Sequence, residues 1–139
     1  MKRFRRITAL ALTLVVIAML GISASAASET INGDFGAFTH FEWTLTRNAA
    51  RGEARFRDNG GDIHLQEQKI VIEGIRVNEN TYEREEYEVN VDLDDPDIVA
   101  EASAFSPWYL LNATFNYDAT YTANGVPCYY YSGPKVLHN

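Results

Sequence analysis

The feature that most constrains this chain is the run from Leu111 to Thr122, in which apolar and polar residues alternate without exception. Leu111, Ala113, Phe115, Tyr117, Ala119 and Tyr121 fall on one parity; Asn112, Thr114, Asn116, Asp118, Thr120 and Thr122 fall on the other. Successive side chains of a strand point to opposite faces, so this period of two predicts a long strand with one dry face and one wet face. The dry face needs a covering layer, and the rest of the sequence has to supply it.

Strand-like segments recur on both sides. From Asp34 to Thr46, Phe35, Ala37, Phe41, Trp43 and Leu45 share a face around Thr39, opposite Asp34, Gly36, His40, Glu42 and Thr44, a polar face interrupted by Phe38. Arg51–Arg57 and Asp62–Glu67 flank Asn59-Gly60, a pair that suits a two-residue type I′ turn because both central residues need positive φ. A hairpin there pairs Phe56 with Ile63, Ala54 with Leu65, Arg57 with Asp62 and Arg55 with His64. Ile70–Val77 is apolar on both parities and reads as a buried strand, with a bulge at Gly74.

After the polar stretch Asn78–Thr81, Tyr87, Val89, Val91 and Leu93 alternate with Glu86, Glu88, Asn90 and Asp92. The turn Asp94-Asp95-Pro96-Asp97 then predicts a second hairpin, with Leu93 facing Ile98, Val91 facing Ala100, Val89 facing Ala102 and Tyr87 facing Ala104. The small alanines leave room for large side chains from a facing layer. Ser106-Pro107 breaks the chain before the long strand.

Asn124-Gly125 predicts a third hairpin. It sets Cys128 opposite Tyr121, Tyr130 opposite Ala119 and Ser132 opposite Tyr117 on the dry side, with Tyr129 opposite Thr120 and Tyr131 opposite Asp118 on the wet side. Pro127, facing Thr122, has no N–H to give a further strand, which predicts an edge. About eight strands with short polar turns and no helical periodicity predict a two-sheet antiparallel β-sandwich, with a closed β-barrel as the alternative.

The first 26 residues read differently. Lys2, Arg3, Arg5 and Arg6 precede an apolar run from Ile7 to Ile22 and the small residues Ala24-Ser25-Ala26, the three parts of a cleavable secretory signal peptide, with cleavage expected between Ala26 and Ala27. The run is too short for a membrane span, and no membrane insertion is expected after cleavage. This predicts a secreted or extracytoplasmic destination, and the shortness of the leader suggests a bacterial protein. Residues 27–33 read as a loose lead-in and 34–139 as one domain. Cleavage removes four of the twelve Lys and Arg and none of the nineteen Asp and Glu, so eight face nineteen and the formal charge moves from −7 to −11. An acidic balance of this size disfavours nucleic acid as a partner. With Cys128 as the only cysteine, a disulfide framework within one chain is excluded; the hairpin register makes it a buried structural thiol.

Several clusters suggest chemistry. Asp92, Asp94, Asp95 and Asp97 put carboxylates on a turn, which suits calcium, yet the spacing fails the EF-hand and a solvated anionic loop reads as well. His40, Glu42 and His64 would supply zinc ligands only if their strands were neighbours. Arg47, Arg51, Arg55 and Arg57 form a basic run, and the Asn112-Ala113-Thr114 sequon would be idle in a bacterium. No nucleophile elbow or cofactor motif is present, so no catalytic residue and no cofactor is assigned. Tyr129 and Tyr131, with Asp118, Thr120 and Asn116 beside them, combine aromatic faces with hydrogen-bonding groups, as a carbohydrate-binding surface does, although cross-strand packing that stabilises the hairpin is the simpler explanation. The expected function is a secreted, non-catalytic β-sandwich, monomeric, that binds an extracellular protein or glycan or has a structural role. A carbohydrate-binding module is the first alternative and an extracytoplasmic hydrolase the second.

Overall fold

The computed structural model describes residues 24–32, 38–59 and 61–139. Among the described residues nine strands follow in order: β1 (Ala24–Asn32), β2 (Phe38–Thr46), β3 (Ala49–Phe56), β4 (Ile63–Asn78), β5 (Arg84–Leu93), β6 (Asp97–Ser103), β7 (Trp108–Leu110), β8 (Asn112–Ala123) and β9 (Val126–His138). They form two antiparallel sheets, β1-β2-β3-β6 and β5-β4-β8-β9, with β7 paired to the end of β4. The sheets stack as a sandwich and do not close into a barrel.

β8 is the long alternating strand, and every second side chain from Ala113 to Ala123 is buried. Its covering layer is β2, whose Phe41, Trp43 and Leu45 are buried. Trp43 is at the centre, stacked on Phe41 at 5.3 Å and on Phe115 at 5.2 Å, while Phe41 meets Tyr117 edge-on at 4.5 Å. Small residues make this possible. Gly52 stands opposite Trp43 on β3, where a Cβ would fall 2.9 Å from the indole ring, and Ala100 and Ala102 line the core side of β6.

Two of the three expected hairpins do not form. β3 pairs with β2 and β6, and β4 with β5 and β8, so Phe56 and Ile63 are both buried but belong to different sheets. The Asp94–Asp97 turn likewise carries the chain from β5 in one sheet to β6 in the other. Asn59 makes a different turn: its Oδ1 accepts from the N–H groups of Gly61 and Ile63, and Asp58 Oδ2 accepts from that of Leu65. The two crossings are tied together where Phe56 N–H donates to the Pro96 carbonyl at 2.8 Å.

The hairpin at Asn124-Gly125 forms in the expected register, from Ala123 opposite Val126 to Tyr117 opposite Ser132, with φ of 50° and 77° at the two turn residues. Ala27–Asn32, expected as lead-in, is paired with β2. Of the expected leader, residues 1–23 lie outside the described residues, as do 33–37 and Gly60.

The register shift in β4 lies between Leu65 and Glu67, not at Gly74. It turns Glu67 outward and Gln68 inward, where the fully buried amide is satisfied: Tyr117 Oη donates to Gln68 Oε1 at 2.9 Å and Gln68 Nε2 donates to the Asp95 carbonyl at 2.5 Å. Gly74 serves a close approach instead. Tyr87, directly opposite, lays its ring over the bare backbone and donates to the Asn112 carbonyl at 2.7 Å, and a Cβ at position 74 would fall 2.3 Å from that carbonyl oxygen. Burial pushes the Tyr87 phenol up to about 12, so the donor stays protonated.

Candidate functional site on the outer face of the five-stranded sheet

Alternation along β8 sends Asn116, Asp118 and Thr120 outward, and the hairpin register sets β9 beside them. Thr120 lies between Glu67 on β4 and Tyr129 on β9; Asp118 lies between Lys69 and Tyr131, with Asp92 of β5 beyond Lys69. The five residues singled out from sequence therefore share one surface. Tyr129 is 64% exposed and Tyr131 49%. Tyr131 Oη donates to Asn116 Oδ1 at 3.1 Å, which orients that ring, while no side-chain bond among the described residues is seen to fix Tyr129.

The electrostatics are uneven. Partial burial raises the Asp118 carboxyl above its ordinary range; Lys69 opposes the shift and Asp92 adds to it. Glu67 is raised chiefly because its carboxyl meets that of Asp92 within hydrogen-bonding range. The Tyr129 phenol is also raised, first by lost solvation and then by the charge of Asp118 and by Tyr131. Sequence reasoning missed Lys69, Glu67 and Asp92 as parts of this surface, because membership requires β4 and β5 to lie beside β8. A shallow depression of 660 Å³ at its margin is lined by Gln66, Glu67, Asp92, Leu93, Asp94 and Thr120.

The other clusters are not assembled as the sequence suggested. Asp92 stands opposite Lys69 on the neighbouring strand β4, while Asp94, Asp95 and Asp97 lie in the turn beyond the end of β5 or at the start of β6. Within the turn, Asp95 Oδ1 accepts from the Asp97 N–H, and Asp97 approaches Arg55 at 3.7 Å. Among the described residues no group of three or more His, Cys, Asp or Glu is arranged to hold a metal ion. His40 and His64 sit on different sheets, His40 at 3.3 Å from Glu42 and His64 at 3.0 Å from Asp58. Three of the four arginines of the basic run are paired with carboxylates: Arg51 reaches Glu53 and Glu101, Arg55 reaches Glu53 and Asp97 rather than His64, and Arg47 pairs with Glu79 while lying 4.6 Å from the Tyr109 ring centre.

Cys128 faces Tyr121 as expected but is half-buried rather than sealed in the core, with Sγ 3.5 Å from the Val126 carbonyl oxygen. It sits on the outermost strand near the turn, where the covering layer ends. Compared with protein-family models, with curated proteins and with solved structures, the chain matches none.

Proposed function

We propose that the chain is a secreted, non-catalytic β-sandwich module that binds glycan on the outer face of β8 and β9, with Tyr129 and Tyr131 as the stacking rings. The observation that carries this reading is the exposure of two aromatic rings, two residues apart on one strand face, in a sheet whose other aromatics are buried or half-buried. Such rings lie about 6.6 Å apart along the strand. A tyrosine pairs an apolar body with a polar tip, and sugar rings present apolar faces edged with hydroxyls. Asn116, Asp118, Thr120 and Lys69 supply donors and acceptors around the rings, the small set of polar groups that fixes a ligand's orientation.

The basic n-region, apolar run and Ala24-Ser25-Ala26 support an extracytoplasmic location. N-terminal sequencing of exported protein is expected to begin at Ala27; retention of residues 1–26 would remove that part of the reading.

A glycan array and pull-down with the exported protein test binding directly. Changing Tyr129 and Tyr131 together to Ala is expected to weaken glycan binding by about tenfold or more, at roughly 0.5–1.5 kcal/mol for each stacked ring. A double variant that binds every glycan normally, or that melts as early as Tyr121→Ala, would mean that the rings are packing and not a site.

A further inference from the structure

We infer that the free edge of β9 is a self-association surface on which a second copy of this chain adds its own β9 antiparallel, joining two five-stranded sheets into one. This rests on the backbone and charge of the edge and is independent of the glycan reading.

β9 pairs with β8 on one side and with no strand on the other among the described residues. Residues flanking a two-residue turn, here Ala123 and Val126, exchange both backbone bonds, and the antiparallel ladder alternates from there. Cys128, Tyr130 and Ser132 therefore spend their backbone groups on β8, while Tyr129 and Tyr131 direct N–H and C=O outward from the sheet. Unpaired edge groups of this kind are a template for another strand unless charge, proline or a bulge protects them.

Protection is unequal around the sandwich. β5 carries Arg84, Glu85, Glu86, Glu88 and Asp92, β6 carries Asp97 and Glu101, and β1 carries Glu29. From Val126 to Pro134 β9 carries no charge; its guards are Pro127 and Pro134, one at each end of an open window from Cys128 to Ser132. The whole chain has a formal charge of −7, so two copies repel along most of their surfaces and least along this neutral edge.

The window is also self-complementary. Centred on Tyr130, an antiparallel pairing sets Tyr129 opposite the second copy's Tyr131, and Tyr131 opposite its Tyr129. All four have outward-directed backbone groups, and neither proline interrupts the four bonds they form. Their rings lie on the outer face as two cross-strand aromatic pairs, which favour pairing. Cys128 meets the second copy's Ser132 at a non-hydrogen-bonded position, with Cα atoms about 4.5 Å apart. The two Cys128 residues lie about 13 Å apart along the strands, beyond disulfide reach.

Sedimentation of the purified protein over a range of concentrations, with two variants, tests this. The wild type is expected to move from one to two chain masses as concentration rises. Tyr129→Pro removes an outward N–H, as Pro127 already does, together with one ring of each aromatic pair, while sparing the backbone bonds to β8, and is expected to keep the native circular dichroism while staying at one chain mass. Ser132→Cys is expected to lock into a disulfide-linked dimer under mild oxidation that leaves the wild type uncrosslinked; this readout stands even if Tyr129→Pro does not fold. A wild type at one chain mass throughout would overturn the proposal, as would a natively folded Tyr129→Pro dimer or a Ser132→Cys dimer that fails to crosslink. An unrelated extended peptide pairing with β9 while the wild type stays at one chain mass would assign the edge to another partner.

Discussion

Of the three Asn-Gly pairs in this chain, two, Asn59-Gly60 and Asn124-Gly125, do opposite things. Asn124-Gly125 turns β8 back along its own sheet as β9, with both residues at positive φ. Asn59 belongs to a link that carries the chain from one sheet to the other, its side chain accepting two backbone N–H groups and Asp58 accepting a third. One-face patterning is blind to this difference. Two strands that each bury one face satisfy it equally well side by side or stacked across the core. What distinguishes them here is the environment: β3 has β2 and β6 on its two edges, and the residues before Gly60 carry acceptors for a backbone that leaves its sheet.

The comparison can be broken first at the hairpin that formed. Its register buries Tyr117 and exposes Tyr131 on adjacent strands. Tyr117→Ala is expected to cost about 3–5 kcal/mol in urea unfolding, because it removes a core ring packed on Phe41 and leaves the buried Gln68 amide short of a partner. Tyr131→Ala is expected to fall within about 0.5 kcal/mol of wild type. Equal losses would mean a slipped register, since a shift of one residue exchanges the faces.

The two turns are then distinguished by what each depends on. Gly125→Ala forces an L-residue to φ of 77° and is expected to cost about 1–2 kcal/mol through backbone strain alone, since a Cβ there meets nothing. Asn59→Ala is expected to cost about 1 kcal/mol through the acceptor it removes, and Asn59→Asp, which keeps an acceptor, to recover most of it. A turn at Asn59 that tolerates Ala but not a rigid β-branched residue would instead behave like the hairpin.

The sandwich, the alternating faces and the register of β8 with β9 were legible because each follows from local rules: period two, the turn pair and its loop length. Tyr129, Tyr131, Asn116, Asp118 and Thr120 were found together for that reason. Lys69, Glu67 and Asp92 were not, because their place on the surface depends on β4 and β5 lying beside β8, a long-range pairing that local pattern leaves open. The bulge at Gln66 was missed as well. Nothing in Leu65-Gln66-Glu67-Gln68 marks which polar residue turns inward, and Gln68 is accepted in the core only because Tyr117 and the Asp95 carbonyl meet its amide. Gly74 signalled an irregularity, and its cause, the ring and hydroxyl of Tyr87, came from a strand whose neighbour could not be read.

The smallest expected effect tests the third turn. Had Asp94–Asp97 closed a hairpin, Asp92 would face Val99; with β5 beside β4, Asp92 faces Lys69 and meets the Glu67 carboxyl, and the Glu67 carboxyl is raised above its ordinary 4.5. A carboxyl raised in the folded state holds a proton that the unfolded chain has released. Stability is therefore lost as pH climbs from the ordinary value through the raised one, and the loss persists at neutral pH. Asp92→Asn removes the opposing charge, so the Glu67 titration followed by NMR is expected to move down toward 4.5. The variant is expected to melt slightly above wild type at neutral pH, and the difference to shrink as the pH falls through the Glu67 titration. An unchanged Glu67 titration would separate β5 from β4 and return it to the side of β6.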